Sequence, residues 1–190
     1  MTNEGHTATL ERTDLTGTYD IDPAHSRFGF VARHAMVTKV RGQFTEFEGT
    51  LDVDAEDPAR SQAELVIQAA SIDTRNEDRD AHLRSNDFFA MEEYPEIAFR
   101  SSSVEATDED DLYRVTGDLT IRGATRPVTL DVEFTGAAID PWGNTRIGLE
   151  GSTVVNRKDW GVSWNAPLEA GGVLVSEKVT LEFEIAAVKR

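Results

Sequence analysis

From about Gly17 onward, apolar and polar residues alternate with period two, and short clusters of turn-forming residues interrupt the alternation. In residues 47–54 (FEGTLDVD), Phe47, Gly49, Leu51 and Val53 fall on one face. Glu48, Thr50, Asp52 and Asp54 fall on the other, because successive strand side chains point to opposite sides. The pattern recurs at Ala63, Leu65, Ile67 and Ala69, at Tyr113, Val115, Gly117, Leu119 and Ile121, and at Val128, Leu130, Val132 and Phe134. It returns at Ile147 and Leu149 and from Val179 through Leu181 and Phe183 to Ile185. Turn chemistry at 56–60 (EDPAR), 107–111 (TDEDD), 122–125 (RGAT) and 140–144 (DPWGN) links these runs closely enough to make sequential antiparallel neighbours. The chain is therefore all-β, with roughly eight strands, each apolar on one face. Periodicity alone leaves an up-and-down barrel and a two-sheet sandwich both open.

One segment departs from period two. Residues 71–89 (SIDTRNEDRDAHLRSNDFF) predict a short helix near 76–85, capped by Asp73 or Thr74, with acidic residues in its first turn. The helix is strongly polar, with Leu83 and Ala81 as its inward candidates, so docking against the strands must stabilise it. Phe88 and Phe89 then anchor the return of the chain to the next strand.

Composition narrows the functional classes. A length of 190 residues fits one β domain, assigned to 17–190, with 1–16 read as a disordered polar tail. No apolar run approaches the roughly 18 residues that span a bilayer, so integral membrane insertion is not expected. The N-terminus carries Glu4 and Glu11 and no apolar stretch of a secretory signal, which places the chain as given in the cytoplasm. The absence of cysteine removes disulfides, thiolate metal sites and cysteine nucleophiles. A formal net charge of −16 disfavours nucleic acid and electrostatic membrane docking, although whole-chain charge leaves room for a local basic patch.

Several stretches, in their order and spacing, resemble the YceI-like family of lipocalin-like barrels that bind polyisoprenoid or related lipids. They are YDIDPAHSRFGF at 19–30, DTRNEDRDAHLRSNDFF at 73–89, YPEIAF at 94–99, GDLTIRGATRPVTL at 117–130, DPWG at 140–143 and NRKDWGV at 156–162. The resemblance implies an eight-stranded antiparallel barrel with a short helix between two strands. It also implies an internal apolar tunnel holding a long-chain lipid, and it admits a homodimer. Many relatives look exported; that role is not carried over. An eight-stranded barrel either fills with side chains or holds one ligand. Gly49, Ala63, Ala69, Gly117, Gly136, Ala138 and Gly151 fall on the inward faces, where their small volume leaves room for a chain. Each methylene buried there contributes about 0.8 kcal/mol, so an apolar tunnel binds without specific polar contacts.

The tunnel-lining candidates are Phe28, Phe30, Phe47, Leu51, Leu65, Ile67, Phe99, Tyr113, Val115, Leu119, Leu130, Val132, Phe134, Leu149, Leu181 and Phe183. Ordinary core packing is the alternative for each. Candidates for head-group contact are His82, Arg84, Arg157 and Glu177, with Asp87 beside the first two. His82, Arg84 and Asp87 read better as a joint closing the barrel. Glu177 faces inward if alternation holds from Val173 to Leu181 and outward if a bulge intervenes at 176–178. No zinc-hydrolase helix spacing surrounds His25, His34 or His82, and no nucleophile elbow surrounds any serine. The reading is a non-catalytic lipid carrier or store without a metal or further cofactor. The alternatives are an enzyme or chaperone acting on an isoprenoid or fatty acyl compound, and a solid-core barrel that binds a protein partner.

Overall fold

The structure, a computed structural model, describes residues 10–190. Its elements are β1 (Gly17–Ile21), β2 (Arg27–His34), β3 (Thr38–Phe44), β4 (Phe47–Val53), β5 (Gln62–Gln68), β6 (Ile72–Asp73), α1 (Glu77–Arg84), β7 (Glu96–Ala106), β8 (Leu112–Ile121), β9 (Ala124–Ile139), β10 (Thr145–Asn156) and β11 (Lys178–Lys189). All pairings are antiparallel, and β11 returns to pair with both β1 and β2, so the sheet closes. The barrel, not the sandwich, is formed.

Eleven segments make eight staves because three long strands are each broken once. β1 and β2 run along successive parts of β11, separated by a 3-10 turn (Pro23–His25) that Pro23 starts and Asp22 caps. β3 and β4 continue one another, as do β5 and β6. Hydrogen bonds from Thr45 N to Ser71 O (3.2 Å) and Gln68 N to Glu46 O (2.9 Å) carry the pairing across both breaks.

One rim carries α1, the β2–β3 turn, the β8–β9 hairpin and a long loop at 161–177. The opposite rim carries the 54–61, 107–111 and 140–144 turns. Of the segment expected to be disordered, Arg12–Leu15 forms a 3-10 turn at this second rim, with Leu15 buried. The Tyr19 hydroxyl donates to Leu15 O at 2.7 Å, and Arg12 pairs with Asp111. Residues 1–9 lie outside the described residues.

Three local expectations are corrected. The cap of α1 is Asn76, whose Oδ1 accepts from Arg79 N at 2.9 Å, not Asp73 or Thr74. Thr74 is instead buried, with its amide donating to the buried Asp80 carboxylate. Ala81 faces solvent, leaving Leu83 as the inward apolar contact of α1. Strand β11 starts only at Lys178; the preceding valines belong to a loop held by two isolated bridges, His34 with Val175 and Pro167 with Val173.

Candidate functional site

Inside the barrel lies a cavity of about 280 Å³, close to the lower end of the roughly 300–1,000 Å³ typical of small-molecule sites. A second space of about 140 Å³ extends toward the Arg12–Leu15 rim. Leu51, Ala63, Val115, Val132 and Leu149 border both, and so form a waist between two compartments.

Strand alternation determines which side chains reach these walls. Phe28, Phe30, Leu65, Ile67, Phe99, Leu119, Leu130, Leu181 and Phe183 line the larger cavity. Tyr113 and Phe134 line the smaller, and Leu51, Val115, Val132 and Leu149 line both. Phe47 lines neither: its ring packs edge-on against Phe28, with centroids 4.7 Å apart. Residues outside the period-two pattern complete the cavity at the helix rim: Leu83, Phe88, Phe89, Trp160 and Val162. Trp160 is held there by its indole N–H, which donates to Leu119 O at 2.8 Å.

The glycines open the lumen indirectly. A Cβ at Gly42 would sit 2.6 Å from Phe30 Cε1, one at Gly117 2.6 Å from Phe99 Cε2, and one at Gly151 2.7 Å from Phe183 Cζ. Each phenyl ring thus lies flat over a glycine on a neighbouring strand, against the wall and away from the barrel axis. The space beside Gly49 is likewise taken, by Ile21 Cδ1 at 2.6 Å. Gly136 and Ala138 are not inward at all. A β-bulge between the Leu149–Phe134 and Gly148–Gly136 pairs adds Thr135 and reverses the facing of the rest of β9.

Polar groups separate just as clearly. Arg84 donates to Ala70 O (2.8 Å) and Ile72 O (3.1 Å), stitching α1 to the β5–β6 stave. His82 Nε2 lies 2.8 Å from Asp87, and its ring stacks edge-on against Phe88 and Trp164. These groups tie a joint; neither His82 nor Arg84 borders either of the two barrel cavities. Glu177 is exposed and paired with Lys158, whose bond holds its carboxyl below the usual carboxylate range. Neither inward alternation nor a strand bulge applies to it, because it precedes β11.

Arg157 alone among the four lines the cavity. The 3-10 turn Arg157–Trp160 follows β10 directly and tucks the guanidinium beneath the 161–177 loop, leaving the residue 7% exposed. It donates to Ser176 O (2.8 Å), Val162 O (2.6 Å) and Val175 O (3.3 Å). Burial pushes its pKa down, partly offset by the negative charge of Glu177. A guanidinium has five N–H groups, so two remain beyond these three bonds. Glu64 and Glu182 also border the cavity, but their carboxylates engage Arg100 (3.2 Å) and Arg27 (3.1 Å) on the barrel exterior. Among the described residues, no cluster of three or more His, Cys, Asp or Glu is placed to hold a metal.

A closed antiparallel barrel around an apolar lumen, capped by one short helix, defines the class of fold. Residues 19–187 match the YceI-like domain, and the chain belongs to that family. A UPF0312 protein of Staphylococcus epidermidis is 40% identical over 165 residues, covering 86% of this chain and 93% of its own. A Staphylococcus aureus counterpart is 38% identical over the same share of both chains. Among solved structures, the Campylobacter jejuni YCEI protein superposes with a TM-score of 0.71 at 27% identity, covering 83% of this chain and 90% of its own. A polyisoprenoid binding domain from Saccharophagus degradans shares the fold, with a TM-score of 0.65 at 18% identity over 90% of this chain and 98% of its own.

Proposed function

We propose that the protein is a non-catalytic carrier or store for a long-chain isoprenoid-type lipid, such as a polyprenyl phosphate or a quinone-like molecule. The observation that carries this reading is the roughly 280 Å³ cavity, whose inward wall is apolar except for Arg157. Such a wall rewards chain burial at about 0.8 kcal/mol per methylene and offers water almost no partners. The two spare N–H groups of Arg157 suit a phosphate or carbonyl oxygen at the head of the chain. The polyisoprenoid-binding domain of the same fold supports the ligand class. Sequestration without turnover is favoured because His82, Arg84 and Glu177 are committed to Asp87, backbone carbonyls and Lys158 away from the wall.

Native mass spectrometry of the purified protein, followed by solvent extraction, tests the proposal. A co-purifying or added polyprenyl lipid retained at one per chain is the expected result. A mass that stays apo after incubation with prenyl phosphates, quinones and fatty acids would refute it.

A further inference from the structure

We propose that the outer face of the β2–β3 hairpin is a docking surface for an anionic lipid bilayer. In a chain with 35 acidic residues, none occurs between Asp22 and Glu46, a stretch that contains Arg27, Arg33, Lys39 and Arg41. The alternation that turns Phe28, Phe30 and Phe44 into the cavity turns Arg33, Lys39 and Arg41 outward. Arg33 and Lys39 stand directly opposite one another in the ladder, an arrangement of like charges that costs stability. Among the described residues neither has a carboxylate partner, and Arg41 reaches Glu182 only at 4.0 Å. Glu182 itself is taken by Arg27 at 3.1 Å, and Glu177, on the neighbouring loop, by Lys158. Glu169 is the other acid on that loop, and Lys178 adds a further exposed cation at the start of β11. The hairpin thus keeps uncompensated positive charge in an acidic protein.

Apolar groups accompany the charge. At the turn, Ala35 and Met36 both adopt positive φ (51° and 62°), and Met36 and Val37 are 58% and 75% exposed. Behind the turn, Val154, Thr180, Val31 and Arg41 form one outward row across β10, β11, β2 and β3, with Val154 60% exposed. An aliphatic tip flanked by cations suits the headgroup–acyl boundary of a bilayer, where each basic residue strengthens binding about fivefold. Nucleic acid would gain little from this tip, whose most exposed apolar side chains, Met36 and Val37, offer no aromatic face for base stacking. The acidic remainder of the surface is screened beyond about 10 Å at 0.1 M salt, so the local patch governs contact. The inner face of the same hairpin lines the cavity through Phe30 and Ala32. The docked wall is therefore also a wall of the lumen, yet docking requires only its outer face.

Co-sedimentation of the full chain with phosphatidylcholine vesicles, and with equimolar phosphatidylcholine and phosphatidylglycerol, tests it. We expect binding to the anionic vesicles only. Arg33→Gln/Lys39→Gln should weaken it about 25-fold, two steps of fivefold. Met36→Ser/Val37→Ser should also weaken it, and neither pair should lower the temperature of thermal unfolding. Arg60→Gln/Arg100→Gln, which removes two cations elsewhere on the surface, should leave binding at the wild-type level. Absence of anionic preference, or an equal loss in the Arg60/Arg100 control, overturns the proposal. So does loss of self-association in sedimentation velocity, rather than of vesicle binding, in the hairpin variants: the face would then join copies of the chain. Lipid retention in native mass spectrometry reads the lumen separately, so failure of one reading does not imitate failure of the other.

Discussion

Gly42→Ala isolates the device that keeps the lumen open. The new methyl would start 2.6 Å from Phe30 Cε1. Carbon atoms pack best at about 3.5–4.0 Å, so the ring must retreat by roughly 1 Å. The barrel wall blocks retreat on one side, which leaves motion into the cavity that Phe30 lines. Overpacking of this kind costs about 1–3 kcal/mol, while replacing a strand glycine by alanine recovers about 0.5–1 kcal/mol of chain entropy. At the middle of both ranges the net loss is about 1 kcal/mol. For a domain of this size that corresponds to a fall of about 2–4 °C in Tm. Uptake of a polyprenyl ligand, followed by native mass spectrometry or displacement of a fluorescent lipid, should fall with it. In a Phe30→Leu background the same alanine meets a smaller, flexible side chain, so the destabilisation should largely vanish. If Gly42→Ala costs the same in both backgrounds, the ring-over-glycine account is wrong.

Leu119→Trp should leave a folded barrel by circular dichroism but block lipid retention, because Leu119 is a wall residue of the larger cavity. Leu149→Ala should widen the waist between the two compartments, shifting the preferred lipid toward longer chains at a cost of ~2 kcal/mol in denaturant unfolding. A pH test is available at the rim opposite the helix, where Arg146 binds Asp22 at 2.7 Å and Asp140 at 2.8 Å. The Arg146 bond is the main cause holding Asp22 low; burial pushes Asp140 up, but bonds from Arg146, Asn144 and Trp142 outweigh it and hold that carboxyl well below its usual range. Groups depressed in the folded state stabilise above the unfolded value of about 3.9, and the contribution is lost as pH falls toward the folded value. Arg146→Gln should therefore lower Tm most near neutrality, with the gap to wild type narrowing below about pH 4; a gap constant down to pH 2 would contradict this.

The wall residues of β8, Tyr113, Val115 and Leu119, were legible because an unbroken strand keeps its period of two. Gly136 and Ala138 were not, because one inserted residue reverses facing and a bulge has no reliable composition signal. Phe47 carries the right parity yet lines neither cavity, its ring being packed edge-on against Phe28. Arg84 and Arg157 looked equivalent as cations beside turns. What separates them is the 3-10 turn after β10, which buries Arg157 under carbonyls of a distant loop. Leu83, Phe88 and Trp160 reach the lumen from outside the strands, where period-two reasoning says nothing. The pairing of Phe30 with Gly42 needs the β2–β3 register, although a phenylalanine on one strand and a glycine on its hairpin partner is a signal that could have been sought.

Closure by β11 bears on how the chain is made. Every other ladder joins staves that neighbour one another in sequence, whereas β11 pairs with β1 and β2 across about 150 or more residues. That ladder demands the longest loop closure, which sequence-distant pairings complete slowly. Until β11 emerges from the ribosome, β1, β2 and β10 present open edges, and Leu181 and Phe183 are missing from the wall. No closed lumen exists at that stage of synthesis, and the nascent barrel passes through a stage in which its unpaired edges are open to mispairing.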